Sequence, residues 1–152
     1  VDAKPYAELS DLELLELAAW REARGESFEG KRAVVWSIQN RVHQPKWWGK
    51  DWRGVILKPW QYSSFNVNDP NVGKWPAEDD PSFIDCCKAA EPIYSGQDTQ
   101  DPTDGATHYY DTSINFPKAW GSQSGWVNTL NIGRLKFWKE APPAIFLDAQ
   151  DN

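Results

Sequence analysis

Apolar residues recur at helical spacing over three long stretches of the chain. The first opens at Ser10 with Glu13 three positions on, an S-x-x-E capping box, and continues through Leu12, Leu14, Leu15, Leu17, Ala18 and Ala19 to about Arg24, with Gly25 marking its end. At 100° per residue, Leu12, Leu15 and Ala19 form one stripe, and the next member of that stripe is Glu22. A carboxylate thus stands where the pattern reserves a place for Leu or Ala. The second stretch, Gly30 to about His43, carries a broad apolar face of Ala33, Val34, Val35, Trp36, Ile38 and Val42, and Pro45 limits its extension. Only Glu26 to Glu29 separates the two, which predicts a helical hairpin. A third helix is expected from an N-cap at Asp79 or Asp80, with Pro81 in its first turn, through Phe83, Ile84, Cys87 and Ala90. Pro92 should end or bend it, and Gly96 closes the segment. A short helix at Trp52–Leu57, capped by Asp51 and stopped by Pro59, lies between the second and the third.

The remaining segments are loop-like or extended. Trp60 to Phe65 and the following NVNDPNVGKWP are rich in turn residues. After the polar cluster QDTQDPTDG, Ala106 to Tyr110 reads as a short extended piece in which Tyr109 and Tyr110 face opposite ways. Two more extended pieces, Gly125–Asn128 and Arg134–Lys139, alternate with turns before Pro142, Pro143 and an acidic stub. Helices first and small β pieces after predict an α+β fold. The 152 residues suit a single domain, 1–152, with about 1–9 and 147–152 as flexible ends.

Composition narrows the function. Sixteen Lys and Arg against 22 Asp and Glu give a net charge of −6, so a nucleic-acid or anionic-membrane surface has no electrostatic basis. No apolar run approaches the ~18–20 residues of a membrane span, so no membrane insertion is expected. The opening VDAKPYAELSDLE lacks the basic and apolar regions of a signal peptide, and the absence of Met hints at a trimmed or excised chain. Ten Trp, five Tyr and six Phe exceed what one core can hide. Roughly half the Trp residues are assigned to the core and the rest to a groove, where ring faces meet the apolar sides of sugars. The adjacent Cys86 and Cys87 read as buried small side chains. His43 and His108 lack metal-ligand spacing, Ser63 and Ser64 lack a nucleophile elbow, and no phosphate-binding loop is present. Neither a metal nor a cofactor is expected.

Burial of Glu22 would favour its neutral form, and a neutral carboxylic acid can protonate a leaving oxygen, which is what breaking a glycosidic bond requires. The plainer alternative is a partly exposed Glu22 paired with Arg21, Arg24 or Arg32. Glu29 suits the N-terminal dipole of the second helix. Glu26, four residues after Glu22, is a possible second carboxylate, with a cap or hydrogen-bonding role preferred.

Residues 22–42, EARGESFEGKRAVVWSIQNRV, resemble the signature of the spore-cortex-lytic type of cell wall hydrolases, found in spore germination enzymes and phage endolysins. QYSSF at 61–65 resembles the family's Gln-aromatic-Ser segment, and DPTDGATHYY at 101–110 resembles its D-P-T-x-G-A block. The resemblance implies a lysozyme-like α+β domain acting on peptidoglycan glycan strands between N-acetylmuramic acid and N-acetylglucosamine, several members being lytic transglycosylases. It places the general acid/base on Glu22 and substrate contacts on Gln61, Ser63, His108, Tyr109 and Tyr110; the carry-over to His108, Trp47 and Trp48 is looser, because residues 47–60 are richer in Trp than the pattern. A transglycosylase would form 1,6-anhydromuramic acid without a second carboxylate. A hydrolytic muramidase would require one, with Glu26, Asp69 and Asp111 as candidates. A rival of another class is a non-catalytic, Trp-rich peptidoglycan-binding module; a further one is a purely structural interaction domain. The expected partner is the peptidoglycan glycan strand, met by a monomer. The lack of a signal segment suits a phage endolysin made in the host cytoplasm, released at lysis and acting on the bacterial cell wall.

Overall fold

The computed structural model describes residues 2–142. Helix α1 spans Asp11–Ala23, and its capping box closes as the sequence predicts: the Glu13 N–H donates to the Ser10 hydroxyl at 3.1 Å, and the Ser10 N–H donates to the Glu13 carboxylate at 2.9 Å. Nearly every side of α1 from Leu14 to Trp20 is buried, because α2, α3 and α4 surround it. Helix α2 covers Phe28–His43 and starts two residues earlier than expected. Ser27 supplies the cap, its hydroxyl accepting from the Gly30 N–H at 3.2 Å. Helix α3 is Trp52–Leu57 with the Asp51 cap.

Helix α4, Pro81–Tyr94, has Asp80 as its cap and runs through Pro92, which was expected to end or bend it. The proline removes one N–H only two residues before the terminus, and the fully buried Ile93 beyond it holds the last turn on the core. Gly96 then takes the left-handed φ of 83° that follows a helix end. Cys86 and Cys87 are free thiols on α4; burial pushes the Cys86 thiol up to about 12 and raises Cys87 as well.

Three strands complete the α+β fold: β1 His108–Asp111, β2 Trp126–Ile132 and β3 Leu135–Glu140, antiparallel in the order β1-β3-β2. The two extended pieces of the tail are one hairpin, joined by the two residues Gly133 and Arg134 and irregular between Asn128 and Leu130. Gly133 has a φ of 54°, a left-handed backbone that favours glycine, and a Cβ there would displace the end of the Glu26 side chain, whose Oε1 lies 2.5 Å away. In β1, Tyr109 lies opposite Phe137 and Tyr110 opposite Lys136.

Of the segment 1–9, expected to be loose, the part from Tyr6 onward is tied down. Leu9 is buried in the core, the Tyr6 hydroxyl accepts from Arg21 Nη1 at 2.7 Å, and Arg53 Nη1 donates to the Tyr6 carbonyl at 2.9 Å. The expectation for 147–152 lies outside the described residues. Trp20, Trp36, Trp48 and Trp138 are buried, while Trp47 and Trp60 are exposed.

Candidate active site

Glu22 stands in the last turn of α1, where the negative end of the helix dipole already disfavours a carboxylate. It opens into a cavity of about 450 Å³ between α1, α2, β1 and the loop after α3. The Tyr109 hydroxyl donates to Glu22 Oε1 at 2.7 Å. Burial raises the carboxyl above its ordinary value; Tyr109 and Ser64 pull the other way without reversing the shift, and the charge of Asp69 adds to the rise. Tyr109, half-buried beside the same carboxyl, has its own phenol pushed well above the usual range by desolvation and by the charge of Glu22.

None of the three arginines weighed as partners reaches Glu22. Arg21 turns the opposite way, donating to the carbonyls of Lys74 and Val72 at 3.0 and 2.9 Å and to the Tyr6 hydroxyl. Arg24 bonds Asn71 Oδ1 at 2.9 Å, and Arg32 pairs with Asp98 at 2.7 Å. Among the described residues, Glu22 has no ion-pair partner and is the sole carboxylate lining this cavity.

The cavity also gathers Gln61, Ser63, His108 and Tyr109 from the sequence-derived set. His108 Nδ1 lies 2.9 Å from the Thr107 hydroxyl, and its ring is packed among Trp48, Trp120 and Trp126. Burial, then the charges of Arg41 and Lys46, bring its pKa down to about 3, so the imidazole is neutral. Tyr110 falls outside: on the other face of β1, it stacks on Trp138 and meets Phe116 and Trp120 edge-on.

Glu26 is also turned away from this cavity. Its Oε1 accepts the Arg134 N–H at 3.0 Å, tying the end of α1 to the β2–β3 turn. It borders a separate cavity of about 310 Å³ on the other side of Glu22, shared with Asp111 and Arg134. Asp111 accepts from the Ser113 N–H at 2.8 Å and from Arg134 Nη2 at 3.3 Å, and the Ser113 bond lowers its pKa. Asp69 accepts from the Asn71 N–H at 2.8 Å.

Sequence reasoning missed Arg41, Tyr62 and Trp120, all of which line the site. Arg41 could have been found: Val34, Ile38 and Arg41 continue one apolar stripe of α2, the same broken rule that exposes Glu22. Tyr62 is buried between Arg41 and Glu22 in charge terms, feeling both. The 101–106 block acts as a clamp. Asp101 accepts from Thr103 N–H, Gly105 N–H and Asn40 Nδ2, and Asn40 also donates to the Ala106 carbonyl at 2.9 Å, which delivers Thr107 and His108 to the cavity. Trp47 and Trp60 stand at the rim, 55% and 76% exposed, and Trp60 keeps a left-handed φ of 69°. Among the described residues, no group of three or more His, Cys, Asp or Glu is placed to hold a metal ion.

The chain is similar in sequence and fold to known proteins. The chain is 29% identical over 118 residues to a spore cortex-lytic enzyme of Halalkalibacterium halodurans and 31% identical over 114 residues to that of Bacillus subtilis. These alignments cover 78% and 74% of this chain but only 30% and 33% of the relatives, so the chain spans about a third of their length. Its fold is similar to the crystal structure of the catalytic domain of the Bacillus cereus SleB protein, with a TM-score of 0.63 and 27% identity over 85% of this chain and 89% of the other. It is likewise similar to the catalytic domain of the germination-specific lytic transglycosylase SleB from Bacillus anthracis, with a TM-score of 0.65 and 25% identity over 90% of this chain and all of that one. These neighbours make the α+β architecture a lysozyme-like one. The model of the cell wall hydrolase family matches residues 25–138, from the turn after Glu22 to the buried Trp138 of β3; by that match the chain belongs to the cell wall hydrolase family.

Proposed function

We propose that this domain cleaves the bond between N-acetylmuramic acid and N-acetylglucosamine in peptidoglycan, with Glu22 as the general acid and then the general base of a lytic transglycosylase. One observation carries the reading. A carboxyl held toward its neutral form by burial, with Tyr109 fixing one of its oxygens, opens into an aromatic-rimmed cavity that contains no second carboxylate among the described residues. Glu22 donates its proton to the glycosidic oxygen, the C1–O bond breaks, and oxocarbenium character develops at C1 of the muramic acid. The resulting carboxylate takes the proton of the C6 hydroxyl, O6 bonds to C1, and a 1,6-anhydro ring closes. Glu22 is protonated again and no water is consumed. Gln61 and Ser63 supply polar contacts to sugar substituents, and Trp47 and Trp60 offer flat faces at the rim.

Hydrolysis would require a partner carboxylate at about 5–5.5 Å in a retaining reaction or about 6.5–9.5 Å in an inverting one. Glu26 and Asp111 lie outside the aromatic-rimmed cavity, in a second one that Glu22 also borders, and both are engaged by Arg134. Mass spectrometry of digested sacculi tests the choice: anhydromuropeptides are expected, and products ending in reducing muramic acid overturn the transglycosylase step. The reading extends to a lytic role of the endolysin kind. Added to permeabilised cells, the protein should clear turbidity; saturable binding without clearing or new muropeptides would make it a binding module instead.

A further inference from the structure

Two arginines of this chain are buried almost completely, Arg21 at 4% and Arg41 at 5% exposure, and they differ in one respect. Every nitrogen of the Arg21 guanidinium is engaged: Nε with the Lys74 carbonyl, Nη1 with the Tyr6 hydroxyl and the Ser64 carbonyl, Nη2 with the Val72 carbonyl. That pattern is structural and complete. Arg41 donates from Nε to the Thr107 carbonyl at 2.6 Å and from Nη1 to Gln61 Oε1 at 3.1 Å. Its Nη2 has no acceptor among the described residues, and no carboxylate there pairs with the guanidinium. The side chain lines the cavity of Glu22.

A buried cation without a counter-charge is destabilising unless something else compensates it. The rings of Trp48 and Tyr62, 5.1 and 5.5 Å from Cζ, supply part of that compensation and hold the guanidinium in place. Lys46, whose Nζ lies 5.3 Å from the Trp48 ring, is paired with Glu140 at 3.7 Å. In a chain of net charge −6, the unpaired guanidinium of Arg41 makes its corner of the cavity locally positive.

We propose that Arg41 is the carboxylate receptor of this site: its open Nη2 edge binds a carboxylate carried by the glycan strand beside the bond that Glu22 breaks. The proposal rests on the peptidoglycan reading above. A guanidinium fixed on two sides and open on the third suits a planar carboxylate. Two sources of that group exist in wall glycan. One is the lactyl carboxylate of a muramic acid stripped of its peptide; the other is a carboxylate of the stem peptide. A neutral N-acetylglucosamine polymer offers neither.

The test compares substrates rather than relying on a variant alone. Peptide-free glycan strands with free lactyl carboxylates, the same strands converted to carboxamides, peptide-bearing strands, and peptide-bearing strands with amidated stem carboxylates are given to the unaltered protein. Amidating the recognised group should lower kcat/KM by roughly ten- to a hundredfold, mainly through KM. If the lactyl group is recognised, peptide-bearing strands, whose lactyl group is already an amide, react as slowly as the amidated peptide-free ones. If a stem carboxylate is recognised, peptide-bearing strands are the better substrate and amidating the stem removes the advantage. In Arg41→Gln the carboxylate and amide forms should react alike, and Arg41→Lys should restore part of the discrimination. Equal turnover of carboxylate and amide forms by the unaltered protein, in both strand types, overturns the Arg41 assignment while leaving the enzyme reading intact. No cleavage of any strand overturns both. The first comparison uses the native protein, so it holds however well the variants fold.

Discussion

The Tyr109 hydroxyl and the Glu22 carboxylate meet at 2.7 Å although 87 positions separate them in the chain. One comes from the first strand and the other from the last turn of the first helix, so the helical and β parts of the fold join at the proposed acid. Desolvation of both partners makes the contact a determinant of how readily Glu22 gives up its proton.

Glu22→Gln should remove about 10²- to 10⁴-fold of the rate, the usual worth of a general acid, while the fold is kept. The pH dependence has a definite sign. The pKa of Glu22 lies above its ordinary 4.5, so kcat/KM falls as pH rises through the raised value and the acid is lost. Its contribution to folding runs the same way: most favourable below 4.5 and lost as pH climbs through the folded value. Thermal melts of the two proteins between pH 4 and pH 9 should therefore converge at the acid end, with the Gln variant losing less stability toward the alkaline end. Identical pH slopes would refute the shift.

Tyr109→Phe removes a hydrogen bond that lowers the pKa of Glu22. The alkaline limb of the pH–rate profile should move upward, kcat should fall roughly tenfold as the carboxyl loses its fixed orientation, and stability should drop by about 1 kcal/mol. A limb that moves down, or stays, would show that Tyr109 does not set the acid.

Glu26→Gln should leave kcat within a few-fold, because the amide oxygen can still accept the Arg134 N–H. Glu26→Ala loses that tie, and the melting curve should report a cost of about 1 kcal/mol. A collapse of kcat by about 10³-fold or more in the Gln variant would instead mark Glu26 as a second reacting carboxylate and would bring back hydrolysis.

Trp60→Gly should be at least as stable as the parent protein, since the glycine relieves a left-handed backbone and the lost ring is 76% exposed. KM for glycan should rise. Denaturant titration and steady-state kinetics read the two effects separately, and an unchanged KM would remove Trp60 from the binding surface.

The helical part of this architecture was legible because its signals are local. Ser10 with Glu13, Asp51, and Asp80 with Pro81 are short-range caps, and each marks its helix start. Glu22 was legible for a related reason: a charge on an apolar stripe contradicts its own surroundings. The hairpin of β2 and β3 was harder to see, since Gly133 and Arg134 are not a strong turn pair and the tie that Glu26 makes to this turn comes from over a hundred positions away. Arg41 carries the same stripe signal as Glu22, on the line of Val34 and Ile38. Tyr110 could not be separated from Tyr109 without knowing which side of β1 faces α1. Pro92 stands two residues before the end of α4, so the stop it signals falls one half-turn late, with the buried Ile93 holding that last turn on the core.

Trp47 and Trp60 belong to connecting loops, whereas Glu22 and Tyr109 are set on a helix and a strand. On the proposed reading, reaction and grip are therefore carried by parts of the molecule that can change at different speeds. Descendants of such a scaffold could then exchange the two rim tryptophans, and with them the glycan they favour, while the helix and strand underneath pass on untouched.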